Sequence, residues 1–181
     1  MKRYLTIAKY SITIMLICLI LLIINNVLAL NLNGYGIVPR SSPHLIGIFF
    51  APFLHGDFAH LASNFLPFVV LSTLIGIHSI KRYFVLLPFF IITTGLLVWL
   101  FARGNSVHIG MSGVIYALWG YLVVYGFIRR QITYILISLI TLLFYGGLFF
   151  GLFPGELGVS FESHAMGALV GGVTGYVLAK R

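Results

Sequence analysis

The chain has 181 residues, of which 60% are apolar and 8% charged, and its mean hydropathy is +1.09. So little polar surface cannot solvate a globule, which excludes an ordinary soluble domain and makes lipid the solvent. The formal charge of +8 falls in short clusters between apolar runs rather than on one face, so no nucleic-acid partner is expected.

A hydrocarbon core of about 30 Å takes roughly 20 helical residues per crossing. Apolar runs of that order lie at about 11–31, 60–78, 83–102, 111–128, 131–150 and 162–179. They lack the period-two alternation of barrel strands, and lipid offers no partner to an unpaired backbone group, so each is read as a helix. The expected fold class is an all-α integral membrane protein, a bundle of six transmembrane helices forming a single domain over 1–181.

Span 1 follows Lys2 and Arg3. It is too long for the apolar region of a signal peptide and no small-x-small cleavage site clearly follows, so it is expected to remain as a span. The single cysteine, Cys18, lies within it as a packing or lipid-facing residue, which excludes a disulfide framework. After Asn31–Gly34 comes the longest connection, about 35–59. Its stretch Ile46–Phe53 is too apolar for a solvated loop and too short to cross, so it is placed in or on the outer interface as a cover, with His44 beside it.

Span 2 opens with His60 and Asn64, four residues apart and therefore on one helix face, and Pro67 is expected to kink it. Lys81-Arg82 makes a tight inner turn, leaving His78 near the inner end, and Arg129-Arg130 makes a second. Span 5 carries Gly146, Gly147 and Gly151, where the chain is expected to be loosest. Pro154–Gly158 is the last outer loop. In span 6, Gly171 and Gly175 fall within about 20° of His164 and Gly167 about 60° away. That small-residue face would press His164 against a neighbouring span.

With the N-terminus inside, nine cations (Lys2, Arg3, Lys9, Lys81, Arg82, Arg129, Arg130, Lys180 and Arg181) lie on the inner side against Arg40 and Arg103 outside. The three acids, Asp57, Glu156 and Glu162, fall outside. This positive-inside pattern predicts that both termini are cytoplasmic. His60, Asn64, Ser112 and His164 then all lie near outer helix ends at one depth. Polar groups converging at one level from three spans are more readily explained by chemistry than by packing.

Ser112, bracketed by Gly110 and Gly113 at the mouth of span 4, has unpaired first-turn N–H groups behind it that could meet an oxyanion. From spacing alone the more economical reading of this serine is a helix N-cap. His164 can serve as a general base, or it can be a histidine bonded across helices. His60 and Asn64 suit an oxyanion hole, or an interhelical polar clamp. Tyr116, one turn after Ser112, can offer its ring to His164 or be a core aromatic. Asp57 precedes span 2 and is not expected to complete a triad, leaving a dyad. His55 and His108 are loop residues, with His108 the less easily assigned because it is close to Ser112. No metal-ligand spacing occurs, so no metal or other cofactor is expected.

Together, His55-x4-His60-x3-Asn64, Gly110-x-Ser112-Gly113 with Tyr116, and His164-x2-Gly167-x3-Gly171 resemble the rhomboid intramembrane serine proteases in their minimal six-span bacterial form. The resemblance covers all six spans and implies a rhomboid-like bundle in the bacterial inner (plasma) membrane, with the site toward the outer face. It further implies Ser112 as nucleophile, His164 as base, and His60 and Asn64 with the Ser112 amide as oxyanion donors. Tyr116 would pack on the base and His55 would be structural. The implied partners are membrane lipids and transmembrane protein substrates; separately, the glycines of span 5 suggest that substrate enters laterally between spans 2 and 5. The chain departs from the pattern in lacking a Trp-Arg pair in the first outer loop, its only tryptophans being Trp99 and Trp119. The alternative class is a non-enzymatic binding or transport protein whose intramembrane histidines relay protons or hold a ligand.

Overall fold

The computed structural model describes residues 2–155 and 158–181. Glu156, one of the three acids assigned to the outer side, lies outside the described residues, as does the side chain of His78. The α-helices are α1 Lys2–Val27, α2 Gly47–Phe50, α3 Phe58–His78, α4 Ile80–Phe101, α5 Ser112–Arg129, α6 Ile132–Tyr145 and α7 Phe161–Ala179. Short 3-10 segments span Leu32–Tyr35, Ser42–His44, Ala51–Phe53 and Gly146–Leu152. The one extended pairing among the described residues is a bridge between Ile37 and His108.

Among the described residues, five helices are long and apolar enough to cross a membrane: α1, α3, α4, α5, and α6 with its 3-10 continuation to Leu152. At about 1.5 Å per residue α7 is nearly as long as the hydrocarbon core is thick, but Glu162, Ser163, His164 and its glycines make it more polar. It can be so because only one of its faces is exposed. Leu169, Val173 and Val177 are exposed, while Gly167, Val170, Gly171 and Gly175 are buried. The result is an all-helical membrane bundle.

Helix ends depart from the hydropathy boundaries for local reasons. α1 begins at Lys2 and stops at Val27, short of 31, where the Asn25 side chain accepts the Leu32 N–H at 2.8 Å and turns the chain. α4 begins at Ile80, capped by Ser79, whose hydroxyl accepts the Arg82 N–H at 3.2 Å. Lys81 and Arg82 therefore lie in the first turn of α4 and do not form the turn themselves. α6 gives way to a 3-10 helix at Gly146, where successive glycines weaken the α-helix.

The bundle is built around α5. Of its crossing stretch 67% is buried, against 17–33% in the other four. α7 packs along it in parallel, and the spacing is set by missing side chains. A Cβ at Gly167 would sit 2.1 Å from Gly113 O, one at Gly171 1.9 Å from Ala117 O, and one at Gly175 2.8 Å from Tyr121 O. Both helices advance four residues at each step, so backbone meets backbone in a fixed register. From the other helix, a Cβ at Gly120 would meet Ala168 O at 2.6 Å. On a different side, Gly126 admits Ser138 of α6, whose hydroxyl donates to Leu122 O at 2.9 Å.

The segment joining α1 to α3 is held down at several points. Arg40 donates to the carbonyls of Leu100 at 3.1 Å and Ala102 at 2.8 Å, filling acceptors that the end of α4 leaves open. Trp99 donates from its indole to Ser41 O at 3.0 Å. An arginine and a tryptophan from different segments thus dock this loop. α2 buries Gly47 and Ile48, the latter against Gly95 of α4, and exposes Phe49 and Phe50. Cys18 of α1 is buried with its sulfur 4.0 Å from Pro52 O.

This packing predicts an asymmetry between adjacent glycines of α7. Gly171→Ala is expected to lower unfolding stability in detergent micelles by about 1–3 kcal/mol through overpacking. Gly172→Ala meets nothing closer than Val124 Cγ2 at 3.6 Å and is expected to change it by no more than about 0.5 kcal/mol. Equal losses in thermal unfolding would contradict the α5–α7 register.

Candidate active site

The contacts between α5 and α7 bring Ser112 and His164 together at one end of the bundle. Ser112 opens α5; the capping position is Met111, with no side-chain cap bond. The serine is thus not the helix N-cap that spacing favours, and its Oγ lies 2.9 Å from His164 Nε2. His164, in the first turn of α7, is buried, and its Nδ1 lies 2.9 Å from Gly151 O. The Tyr116 ring stacks on the imidazole at 4.2 Å between centroids and 8° between planes.

α3 brings His60 and Asn64 to the same end. Together with Ser112, Tyr116 and His164 they line an open cavity of about 680 Å³, closed on other sides by Pro67, Leu148 and Ser160. Gly110 has φ of +108°, a backbone conformation that favours glycine, and a Cβ there would lie 2.7 Å from His60 Nε2. Its N–H donates to Ala51 O at 2.8 Å, so the turn before Ser112 is pinned to the covering loop. Gly113 lies against Gly167. Asn64 donates one amide hydrogen to His60 O at 2.7 Å, within its own helix, and keeps a second. Its Oδ1 is buried with no partner among the described residues.

Asp57 is the N-cap of α3: its carboxylate accepts the His60 N–H at 2.7 Å. This use commits its carboxylate to the start of α3, while the ring nitrogens of His164 face Gly151 O and Ser112 Oγ. His55 is 1% exposed, and neither ring nitrogen has a partner among the described residues. Its ring meets that of His60 edge-on at 5.0 Å. Burial, with neighbouring His60 adding to it, pushes its pKa down to about 4. His44 bonds locally to Ser41 at 2.7 Å.

His108 is a buried loop anchor. Nδ1 lies 2.5 Å from Ser160 Oγ and Nε2 3.1 Å from Ser106 Oγ, and its backbone forms the bridge to Ile37. Burial lowers its pKa, with Glu162 acting in the opposite direction. Ser160 in turn caps α7, accepting the Ser163 N–H at 3.3 Å. His108 precedes Ser112 by four residues and Ser160 precedes His164 by four, so this bond clasps the two segments one turn from the Ser112–His164 contact. Arg103 reinforces it with a 3.1 Å ion pair to Glu162. Sequence reasoning did not single out Ser160. Its signal was a serine three residues before Ser163 at a helix start. The described residues hold no cluster of ligands suited to a metal ion.

The arrangement can transfer a proton from a serine hydroxyl to an imidazole beside an open cavity of mixed lining, with N–H donors nearby. Its histidines also set a pH response. His55 is neutral in the fold and titrates near 6.5 when unfolded, so between these values the unfolded chain binds more protons. The associated stability is present above about pH 6.5 and lost as pH falls toward about 4. Unfolding followed over that range should depend on pH less steeply in His55→Phe than in the unaltered chain. Identical slopes would refute a buried, neutral His55.

A profile of the Rhomboid domain matches residues 42–181, leaving α1 outside the match. Uncharacterized proteins of Mycobacterium bovis and Mycobacterium tuberculosis are each 35% identical over 156 residues, which is 82% of this chain and 65% of theirs. One from Mycobacterium leprae is 35% identical over 158 residues, 82% of this chain and 62% of its own. The chain thus spans somewhat less than two thirds of the length of these relatives. With the matched region running from the covering loop through α7, the chain belongs to the rhomboid family.

Proposed function

We propose that the protein is an intramembrane serine endopeptidase that hydrolyses peptide bonds in or beside the transmembrane segments of other membrane proteins. The observation that carries the reading is the 2.9 Å contact between Ser112 Oγ and His164 Nε2 at an open cavity that His60 and Asn64 also line. Membership of a family known for intramembrane serine proteolysis supports it.

In this reading Ser112 Oγ attacks the carbonyl carbon of the scissile bond while His164 Nε2 takes the hydroxyl proton. The carbonyl π electrons move to oxygen, and the oxyanion meets the Ser112 N–H, the free amide hydrogen of Asn64 and the His60 ring. Collapse breaks the C–N bond, the amine leaves with the proton from His164, and the acyl group stays on Ser112. Water then attacks this ester, gives its proton to His164, and Ser112 leaves protonated. Tyr116 keeps the imidazole in plane throughout. The positive-inside charge pattern supports an outward-facing site with cytoplasmic termini in a bacterial inner membrane. An outward site gives the cavity access to water.

A serine-directed fluorophosphonate is expected to label the purified chain and to leave Ser112→Ala unlabelled and folded, with His164→Ala strongly impaired. A wild-type protein that is folded yet refractory would overturn the reading. Ala at His60 or Asn64 should reduce kcat about 10²-fold or more with the fold intact, the worth of an oxyanion donor. A change confined to KM would remove these two residues from that role.

A further inference from the structure

The group facing the other side of His164 belongs to a residue with no side chain. We propose that Gly151 is a positioning residue, whose carbonyl fixes the tautomer of His164 and whose missing Cβ makes room for the Tyr116 hydroxyl. The proposal rests on reading Ser112 and His164 as the reacting pair.

A carbonyl oxygen can only accept a hydrogen bond. At 2.9 Å from Gly151 O, the Nδ1 of neutral His164 must therefore carry the proton. A neutral imidazole has one N–H, so Nε2 is left bare, 2.9 Å from Ser112 Oγ, as the acceptor that a serine nucleophile requires. In the opposite tautomer Nε2–H would point at the hydroxyl and no base would face it. In a serine–histidine–aspartate triad a carboxylate does this orienting. Here Asp57 caps α3 and Glu162 pairs with Arg103, so the backbone of the 3-10 segment Gly146–Leu152 supplies the acceptor.

The steric half of the argument is local to one position. A Cβ at Gly151 would lie 2.0 Å from the Tyr116 hydroxyl oxygen, 3.2 Å from Tyr116 Cζ and 3.3 Å from His164 Nδ1. At Gly146, Gly147 and Gly155 a Cβ would meet nothing within 4 Å. The Tyr116 ring is stacked on His164. Relieving a methyl at position 151 must shift either the ring that holds the imidazole plane or the carbonyl that holds its proton. With the phenolic oxygen removed, the remaining contacts of 3.2 and 3.3 Å call for shifts of only a few tenths of an ångström.

The full chain in detergent, probed with a fluorophosphonate and a transmembrane peptide substrate, gives the test. Gly151→Ala should react about tenfold or more slowly with KM little changed, and Gly147→Ala should stay within about twofold of wild type. Adding Tyr116→Phe to Gly151→Ala should raise the rate about threefold or more above the single variant. The side-chain ¹⁵N shifts of His164 in the resting protein should report a neutral ring protonated at Nδ1. A fully active Gly151→Ala, a double variant no faster than the single, or a ring protonated at Nε2 would each overturn the proposal. A wild type unreactive toward the fluorophosphonate would instead sink the protease reading, and the ¹⁵N shifts would still decide the tautomer.

Discussion

The backbone contact between α5 and α7 is the constraint on which the rest of the molecule depends. Gly167, Gly171 and Gly175 leave no side chain between the helices, so the carbonyls of Gly113, Ala117 and Tyr121 lie against bare Cα atoms. In lipid there is little hydrophobic force to press helices together, and close van der Waals approach has to do it. The same register that satisfies this packing sets Ser112 beside His164 at its end. A contact of 2.9 Å between side chains separated by 52 residues is therefore a consequence of helix packing several turns deep. A change at Gly171, about two turns from His164, acts on the site through that register alone.

Loops finish what the helices begin. Several connections near the site are fixed by groups that fill acceptors or donors left open at helix ends. Arg40 takes two carbonyls at the end of α4, Asp57 the His60 N–H in the first turn of α3, and Ser160 the Ser163 N–H in the first turn of α7. His108 ties the turn before Ser112 to that last cap. Such bonds are costly to break where water is scarce. They make the covering segment from Tyr35 to Phe53 a docked element whose outward face alone, with Phe49 and Phe50, meets the surroundings.

Much of this was legible in the sequence because membrane helices are written in long, simple signals. Apolar runs announced the spans, and the spacing of glycines in the last run announced a close-packed face. The residues lining the cavity were recognisable because ionisable and polar groups are rare in such runs, so His60, Asn64, Ser112 and His164 stood out against lipid-soluble neighbours. Three things were not legible. Whether Ser112 caps its helix depends on where the helix starts, and boundaries are decided by local bonds such as Asn25 to Leu32 or Ser79 to Arg82. The docking of the first loop joins Arg40 to residues 60 positions away, beyond the reach of any local pattern. The Gly151 carbonyl carries no residue-type signature, since every residue has one. The glycines of its segment read alike in sequence, and only the fold separates Gly151, closed on Tyr116, from Gly146 and Gly147 in open space.

In the proposed mechanism Ser112 and His164, the stacked Tyr116 ring and a set of N–H donors open a peptide bond that reaches them from the membrane. The central claim is that this site cuts a chain embedded in the bilayer. The direct measurement is mass spectrometry of products after co-reconstitution with a transmembrane substrate in sealed liposomes. The account predicts a single cut within or next to the substrate's membrane segment, near the leaflet that holds Ser112, and no cut with Ser112→Ala. An intact substrate beside folded protein, or a cut that persists without the Ser112 hydroxyl, would contradict it.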